Sequence, residues 1–361
     1  MNSSVIAPSY LIICFRCIGD VLVTTPLAIS IKTAQPDAVI DYLVFKGTEK
    51  VLAKNPYIRN VFTISTDKSG MGTLILLFKK YDFAIAATPS DRAALSAAMA
   101  GKQTIGLTYG LRKEWWKSLV LDVQQVCYDR MHVVSNILML LWRLGIEPVP
   151  RVVMGYDEND IAYARSAAPF NRYVIFHPYS SKEYKYWSAE KWAKLSILIQ
   201  EQTDCIPVFT RTPEPEGDEY IEQIRKFSPN GITVIDSACS LNQLAAIIKG
   251  AVAFVGIDTI VTHMAAALET PTVAILGPTL TRYWAPWPND SLNPSPFAKN
   301  KGIQHNKYIT VLQRSWQCVP CNKDNCSISS RKVTECLEDI SAKEVFIELE
   351  KFMAIKVIAK L

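Results

Sequence analysis

The sequence predicts an α/β protein built of two Rossmann-like, doubly wound parallel-sheet domains facing each other across a cleft. Short β-rich apolar runs alternate with helical segments along most of the chain, the pattern of βαβ units around parallel sheets. The length of 361 residues suits two domains rather than one. A stretch punctuated by Pro148, Pro150 and Pro169 separates two such alternating series.

In the first series the expected strands are 10–14, 39–44, 61–64, 83–86 and 103–106, with helices beginning near Asp20, Thr48, Met71 and Asp91. A longer helix over 131–144 then stops at Gly145, with Pro148 just beyond. From Pro148 to Asn171 the periodicity weakens, which marks the linker. The second series reads as strand 173–176, helix 189–200, strand 206–210, helix 219–227 and strand 233–235. Helix 241–249, strand 252–255, helix 259–268 and strand 272–276 complete it. The expected domains are 1–155 and 156–340, followed by a C-terminal helix over 341–361. Ligands in such sheets bind at the carboxyl ends of the strands, so chemistry belongs in the loops that follow them.

Composition narrows the class. A hydrophobic fraction of 49% with 20% charged residues is that of an ordinary globular protein. A net charge of +5 suits an acidic ligand or an anionic surface and is too small, with no basic run, to point to nucleic acid. The longest apolar stretches, 135–141 and 251–257, are far shorter than the roughly 20 residues a bilayer-spanning helix needs. The first residues lack the charged start and apolar core of a signal peptide, so the expectation is a cytoplasmic protein.

Three loops carry the candidate chemistry. The first strand runs into Phe15-Arg16-Cys17-Ile18-Gly19-Asp20. Asp20 reads either as a helix N-cap or as a carboxylate that takes a proton from an acceptor hydroxyl, with Gly19 admitting a close ligand. The loop has one glycine and not the Gly-x-Gly-x-x-Gly fingerprint, which argues against a dehydrogenase. A kinase P-loop is also missing from the sequence. In Gly256-Ile257-Asp258-Thr259-Ile260-Val261-Thr262-His263 a buried strand opens a helix of small residues. Its N-terminus suits a diphosphate, although Asp258 and Thr259 also read as plain caps and His263 as a satisfied half-buried histidine. Gly277-Pro278-Thr279 forms a second loop at the same sheet edge. In the loop after strand 173–176, Ser180 and Ser181 offer hydroxyls and Lys185 a point charge where leaving-group charge develops. Trp187 reads as a packing residue.

Four of the nine cysteines cluster as Cys318-x2-Cys321-x4-Cys326-x9-Cys336. Spacing alone allows a zinc or iron centre, a pair of disulfides or free thiols. Cys14-x-x-Cys17 has the spacing of a redox motif, but Arg16 within it argues against that role.

Taken together, Arg16-x-x-Gly19-Asp20-Val21-Leu22-x-Thr24-x-Pro26, Ser180-Ser181-x-x-x-Lys185-x-Trp187, Gly256-x-Asp258-Thr259-x-x-x-His263-x-Ala265-Ala266-x-Leu268 and Gly277-Pro278-Thr279 resemble glycosyltransferase family 9, the lipopolysaccharide heptosyltransferases. The match is spread in order over nearly the whole chain. The resemblance implies a GT-B fold and an inverting, metal-independent transfer from an ADP-heptose donor. The acceptor it implies is the inner core of lipid A-linked oligosaccharide. By position, Asp20 looks like the general base, Ser180, Ser181 and Lys185 like diphosphate ligands, and Asp258, Thr259 and His263 like donor contacts. An acidic ribose-binding residue is expected after the second strand of the donor domain, where Glu214 and Glu216 both qualify. Arg112 and Lys113, with Trp115, Trp116 and Lys117, lie where the acceptor should dock and could meet its carboxylates or phosphates, or form a solvated loop. The resemblance implies no cofactor, and any metal at the cysteines would be structural. It also implies that the amphipathic tail 342–361 crosses back onto the first domain; peripheral contact with the inner membrane is a further expectation, and nucleic acid is not. Rival readings are a GT-B enzyme with another donor sugar or a protein acceptor, a nucleotide-sugar 2-epimerase, and a non-catalytic scaffold using the cysteines as a metal knuckle.

Overall fold

The apolar runs of the first half pair into one parallel sheet. In this computed structural model, which describes residues 7–66, 71–212, 214–235, 239–324, 326 and 334–358, its strands are β1 (Ser9–Cys14), β2 (Val39–Phe45), β3 (Asn60–Ile64), β4 (Tyr81–Ala86), β5 (Gly101–Thr108) and β6 (Val123–Val126). They lie in the order β3-β2-β1-β4-β5-β6, every pair parallel. Strands covered on both faces are apolar almost throughout, and Tyr10 to Cys14 of β1 are accordingly buried. The order reverses between β1 and β4, the point at which a doubly wound sheet opens a crevice for a ligand. The one charged strand residue in this core, Asp41, is fully buried. Its carboxylate accepts from Arg59 Nε at 3.0 Å, Tyr81 Oη at 2.7 Å and the Asn60 amide at 3.0 Å, which offsets the desolvation.

The second sheet holds β7 (Tyr173–His177), β8 (Ile206–Phe209), β9 (Thr233–Val234), β10 (Ala253–Ile257), β11 (Thr272–Ile275), β12 (Gln304–Asn306) and β13 (Ile309–Leu312). Its order is β12-β13-β11-β10-β7-β8-β9, and only the β12–β13 hairpin pairs antiparallel. Here the winding reverses between β7 and β10, which pair directly. Trp187, expected to pack, is fully buried. It stands edge-on to Trp192 at 5.1 Å between centroids, and its indole N–H donates to the Ile340 carbonyl at 2.9 Å.

The chain divides after Gly155, and a short segment, Asn289–Pro294, belongs to the first unit. Asn289 binds both the amide and the carbonyl of Val152, at 2.9 and 3.1 Å. The stretch read as a linker contains a helix, Glu158–Ala167. Pro150 and Pro169 hid it from periodicity, but it begins at a capping box in which Asp157 and Asp160 bond each other's amides. The helix expected from residue 219 starts earlier, at Pro215, a favourable first position for proline. The C-terminal helix packs on helix Ala189–Gln202 and on β10 and β11 of its own unit. Val345, Phe346, Leu349 and Met353 join that unit's core.

Candidate functional site

Three loops leave the carboxyl ends of neighbouring strands β7, β10 and β11 in the second unit. Lys185, from the loop after β7, forms a 2.8 Å ion pair with Asp258, from the loop after β10. Thr279, from the loop after β11, donates its hydroxyl to the same carboxylate at 2.5 Å. Both partners meet the same oxygen, Oδ2, of Asp258, which is not the helix cap. The N-cap of helix Ile260–Ala267 is Thr259, whose side chain makes no capping bond, so the first amides of the helix, at its positive end, have no side-chain cap from it. Gly256 permits this turn. A Cβ there would lie 2.6 Å from both the Phe254 ring and the Thr262 hydroxyl.

His263 lies one turn into that helix. Burial holds its imidazole below the ordinary histidine range, against the pull of the Asp258 charge and with Lys185 opposing protonation. Its Nδ1 is buried with no hydrogen-bond partner among the described residues. The reading of His263 as a satisfied half-buried histidine finds no protein partner at Nδ1 among the described residues, and an unpaired buried nitrogen is costly until something meets it.

Ser180 is buried and its hydroxyl accepts from the Lys182 amide at 3.3 Å, whereas Ser181 is exposed. At the base of the same loop His177 shares a 2.7 Å hydrogen bond with Thr210, and burial pushes its imidazole down to about 4. Glu214 caps helix Pro215–Lys226 and Glu216 occupies its first turn. Burial raises the Tyr179 hydroxyl, and both glutamates add to the shift, which brings them to the edge of the β7 loop. Neither is singled out.

In the first unit Asp20 lies in the first turn of helix Ile18–Leu22, whose N-cap is Cys17. The cap reading of Asp20 is thereby replaced by a carboxylate just inside a helix start, where negative charge is favoured. Arg16, on whose charge Asp20 acts, donates to the Tyr109 hydroxyl at 3.1 Å. This links the loop after β1 to the one after β5. The second loop is held from within. Glu114 accepts from the Tyr109 and Leu111 amides at 2.8 and 3.1 Å. The fully buried Lys117 binds Glu114 at 2.5 Å, the Pro89 carbonyl at 2.8 Å and Asp91 at 3.1 Å. Arg112 and Lys113 stand exposed on this braced loop. Lys117, expected beside Arg112 and Lys113 to meet the acceptor, is instead fully buried in this brace; sequence reasoning gave Tyr109 and Glu114 no role, and the spacing of three between Glu114 and Lys117 was the available signal.

Cys318, Cys321, Cys326 and Cys336 line one cavity of ≈ 20 Å³. Among the described residues, no group of three or more His, Cys, Asp or Glu side chains is already arranged to hold a metal ion. Burial first, and then the other three thiols, push Cys336 up to about 12.

Two doubly wound units with phosphate-suited loops at the switch point of the second define a glycosyltransferase of the GT-B class. The chain belongs to glycosyltransferase family 9 (heptosyltransferase), whose model matches residues 75–308. It is similar to lipopolysaccharide heptosyltransferase 3 of Escherichia coli K12, 27% identical over 292 residues that cover 74% of this chain and 82% of that one. Among solved structures it resembles a family 9 glycosyltransferase from Veillonella parvula with a TM-score of 0.76 and 18% identity, covering 96% of this chain and 98% of that one. It also resembles E. coli ADP-heptose lipopolysaccharide heptosyltransferase II, with a TM-score of 0.72 and 18% identity over 97% of this chain and 99% of that one. Family membership sets the epimerase and scaffold readings aside.

Proposed function

We propose that the chain moves heptose from ADP-L-glycero-D-manno-heptose to the inner core of lipopolysaccharide, with inversion at the anomeric carbon. The observation that carries the donor half is the Lys185–Asp258 pair at 2.8 Å, beside Thr259, whose hydroxyl makes no capping bond, and His263 Nδ1, which has no partner among the described residues. The donor sugar rests on family membership and on the similarity to the E. coli ADP-heptose enzyme.

Lys185, Ser180, Ser181 and the start of helix Ile260–Ala267 hold the diphosphate, and Glu216 or Glu214 the ribose. His263 and Thr259 contact donor phosphate or sugar. Asp20 accepts the proton of the acceptor hydroxyl as its oxygen bonds to the anomeric carbon. The bond from that carbon to the diphosphate breaks, and ADP leaves with the electron pair. Lys185 and the helix end meet the charge that develops on it. These positive groups supply what a divalent ion would, so transfer is expected to need no metal at the reacting centre. Arg112 and Lys113 receive the acidic groups of the acceptor.

The same reading places the enzyme in the cytoplasm with peripheral access to the inner face of the membrane. Met71, Ile75, Leu76 and Phe78 are exposed beside Lys79 and Lys80, a patch that suits an anionic lipid surface. Among the described residues no helix is long and apolar enough to cross a membrane.

The test is a mass-spectrometric assay of the purified chain with ADP-heptose and a panel of truncated core acceptors. One acceptor should gain one heptose with release of ADP. Transfer from another nucleotide sugar alone, or turnover of donor without acceptor, would overturn the reading.

A further inference from the structure

The layer that covers one face of the first sheet is partly inside out. Helices Met71–Leu76 and Asp91–Ala100 and the 3₁₀ helix Arg112–Leu119 share one core. Leu74, Ala93 and Ala97 sit there with Leu11 and Ile13 of β1, and Trp116 packs against them. In the third element the usual polarity is reversed. Glu114 and Lys117, three apart, share one side of a helix with three residues per turn, and that side is buried. Leu111, Trp115 and Leu119 are 47%, 69% and 73% exposed. Surface helices ordinarily turn apolar groups inward and charge outward, and burying Lys117 costs free energy even when it is matched. Large apolar side chains held outward in this way mark a contact surface.

The rest of the layer agrees. Ile75, Leu76, Phe78 and Leu95 are exposed on the other two elements. The segments 71–80, 91–100 and 111–119 hold two acidic residues, Asp91 and Glu114, and both pair with Lys117, at 3.1 and 2.5 Å. The charges left outward are the cations Lys79, Lys80, Arg112 and Lys113. Lys80 also stands with Arg59 at a cavity of ≈ 520 Å³ whose apolar wall includes Phe62 and Leu76. Apolar groups among cations complement an anionic lipid surface. A second copy of the same face would instead set cation against cation.

We propose that this whole layer seats on an anionic bilayer, with Trp115, Leu119 and Phe78 entering the headgroup region and the cations meeting lipid phosphates. The seat deepens the membrane access inferred above, because it rests on three elements and is anchored at Trp115 and Leu119, outside the patch at 71–80. The loop that carries Leu111 begins near Tyr109, which binds Arg16 ahead of the Asp20 helix. A lipid-linked acceptor would therefore reach the base from the membrane that holds it. This last step rests on the reading of Asp20, whereas the seat stands on the face alone.

The test is flotation of the full chain with vesicles of phosphatidylethanolamine and phosphatidylglycerol, without donor or acceptor. The protein should rise with the lipid, and added salt should weaken the binding. Trp115→Ser combined with Leu119→Ser, both at exposed positions, should lower the partition by about tenfold or more while keeping the far-ultraviolet spectrum of the parent. If that variant does not fold, Ile75→Ser with Phe78→Ser takes its place, with the same loss expected. Trp142→Ser should bind like the parent, since Trp142 is 72% exposed on a helix, Val133–Trp142, that packs on helix Thr25–Ala34. Absence of flotation, undiminished binding of a folded double variant, or equal binding to phosphatidylcholine alone overturns the seat. So does a dimer in sedimentation equilibrium that the double variant dissociates, which would give the face to a second copy. Loss of heptose transfer with flotation intact removes the proposed function and leaves the seat.

Discussion

Lys185 and Asp258 pair at 2.8 Å from loops that follow two hydrogen-bonded neighbours, β7 and β10. The pair is largely buried, its side chains 22% and 11% exposed. Lys185→Ala removes the cation aimed at the donor diphosphate and leaves Asp258 as an unbalanced negative charge beside it. The expected result is a fall in kcat/KM of about 10²–10³, with a raised KM for ADP-heptose. Lys185→Arg should recover part of the loss. Steady-state kinetics with saturating acceptor check this.

Asp20 sits in the first turn of its helix and does not cap it. Asp20→Asn should therefore leave the melting temperature near that of the parent and ADP affinity unchanged. Transfer should fall by about 10²–10⁴. Calorimetry and product mass spectrometry on the same preparation separate the two effects. Retained turnover would remove Asp20 from the mechanism.

His177 gives a pH signature. Burial pushes its imidazole down to about 4 in the folded chain, below the ordinary histidine value of 6.5. The unfolded chain therefore binds the extra proton first as pH falls. The contribution of neutral, buried His177 is complete above pH 6.5 and is lost progressively down to about 4. The full span corresponds to about 3 kcal/mol. Denaturant melts from pH 7 to 4 should show this slope, and His177→Asn should flatten it.

The Lys117 ammonium, fully buried, is matched by Glu114 and Asp91. Lys117→Met leaves Glu114 buried without its cation, which should cost about 3–5 kcal/mol. The double change Lys117→Met with Glu114→Gln should restore much of it. Urea unfolding of the two variants measures the difference.

The two glutamates after β8 are separable by ligand. If Glu216 holds the ribose, Glu216→Ala should weaken ADP by about tenfold, the cost of one or two hydrogen bonds to a charged group. Glu214→Ala should leave it within about twofold. The reverse pattern assigns the role to Glu214.

The sheets and the strand-to-helix aspartates were legible because they rest on signals local in sequence: apolar runs, a glycine, a carboxylate at a helix start. Helix Glu158–Ala167 was not, since flanking prolines broke the periodicity while its capping box needed Asp157 and Asp160 to be read together. The tail shows the same limit. Its amphipathic pattern announces an apolar face, but nothing along 342–361 says which core receives Val345 and Leu349. The grip of Thr279 on Asp258 and of Tyr109 on Arg16 depends on strand order, which brings distant loops to one edge. Residue types marked the candidate residues, and topology supplied their partners.

Asn289–Pro294 changes how this chain is to be cut. Cleavage after Gly155 yields a fragment that lacks the side chain satisfying both backbone groups of Val152, the Arg151–Asp290 pair and the Pro294 carbonyl that receives the His132 amide. The two halves are thus not modules in the gene even though they are units in space. A fragment ending at residue 155 should need the 289–294 peptide added in trans, or fused behind a short loop, before it reaches the stability it has in the intact chain.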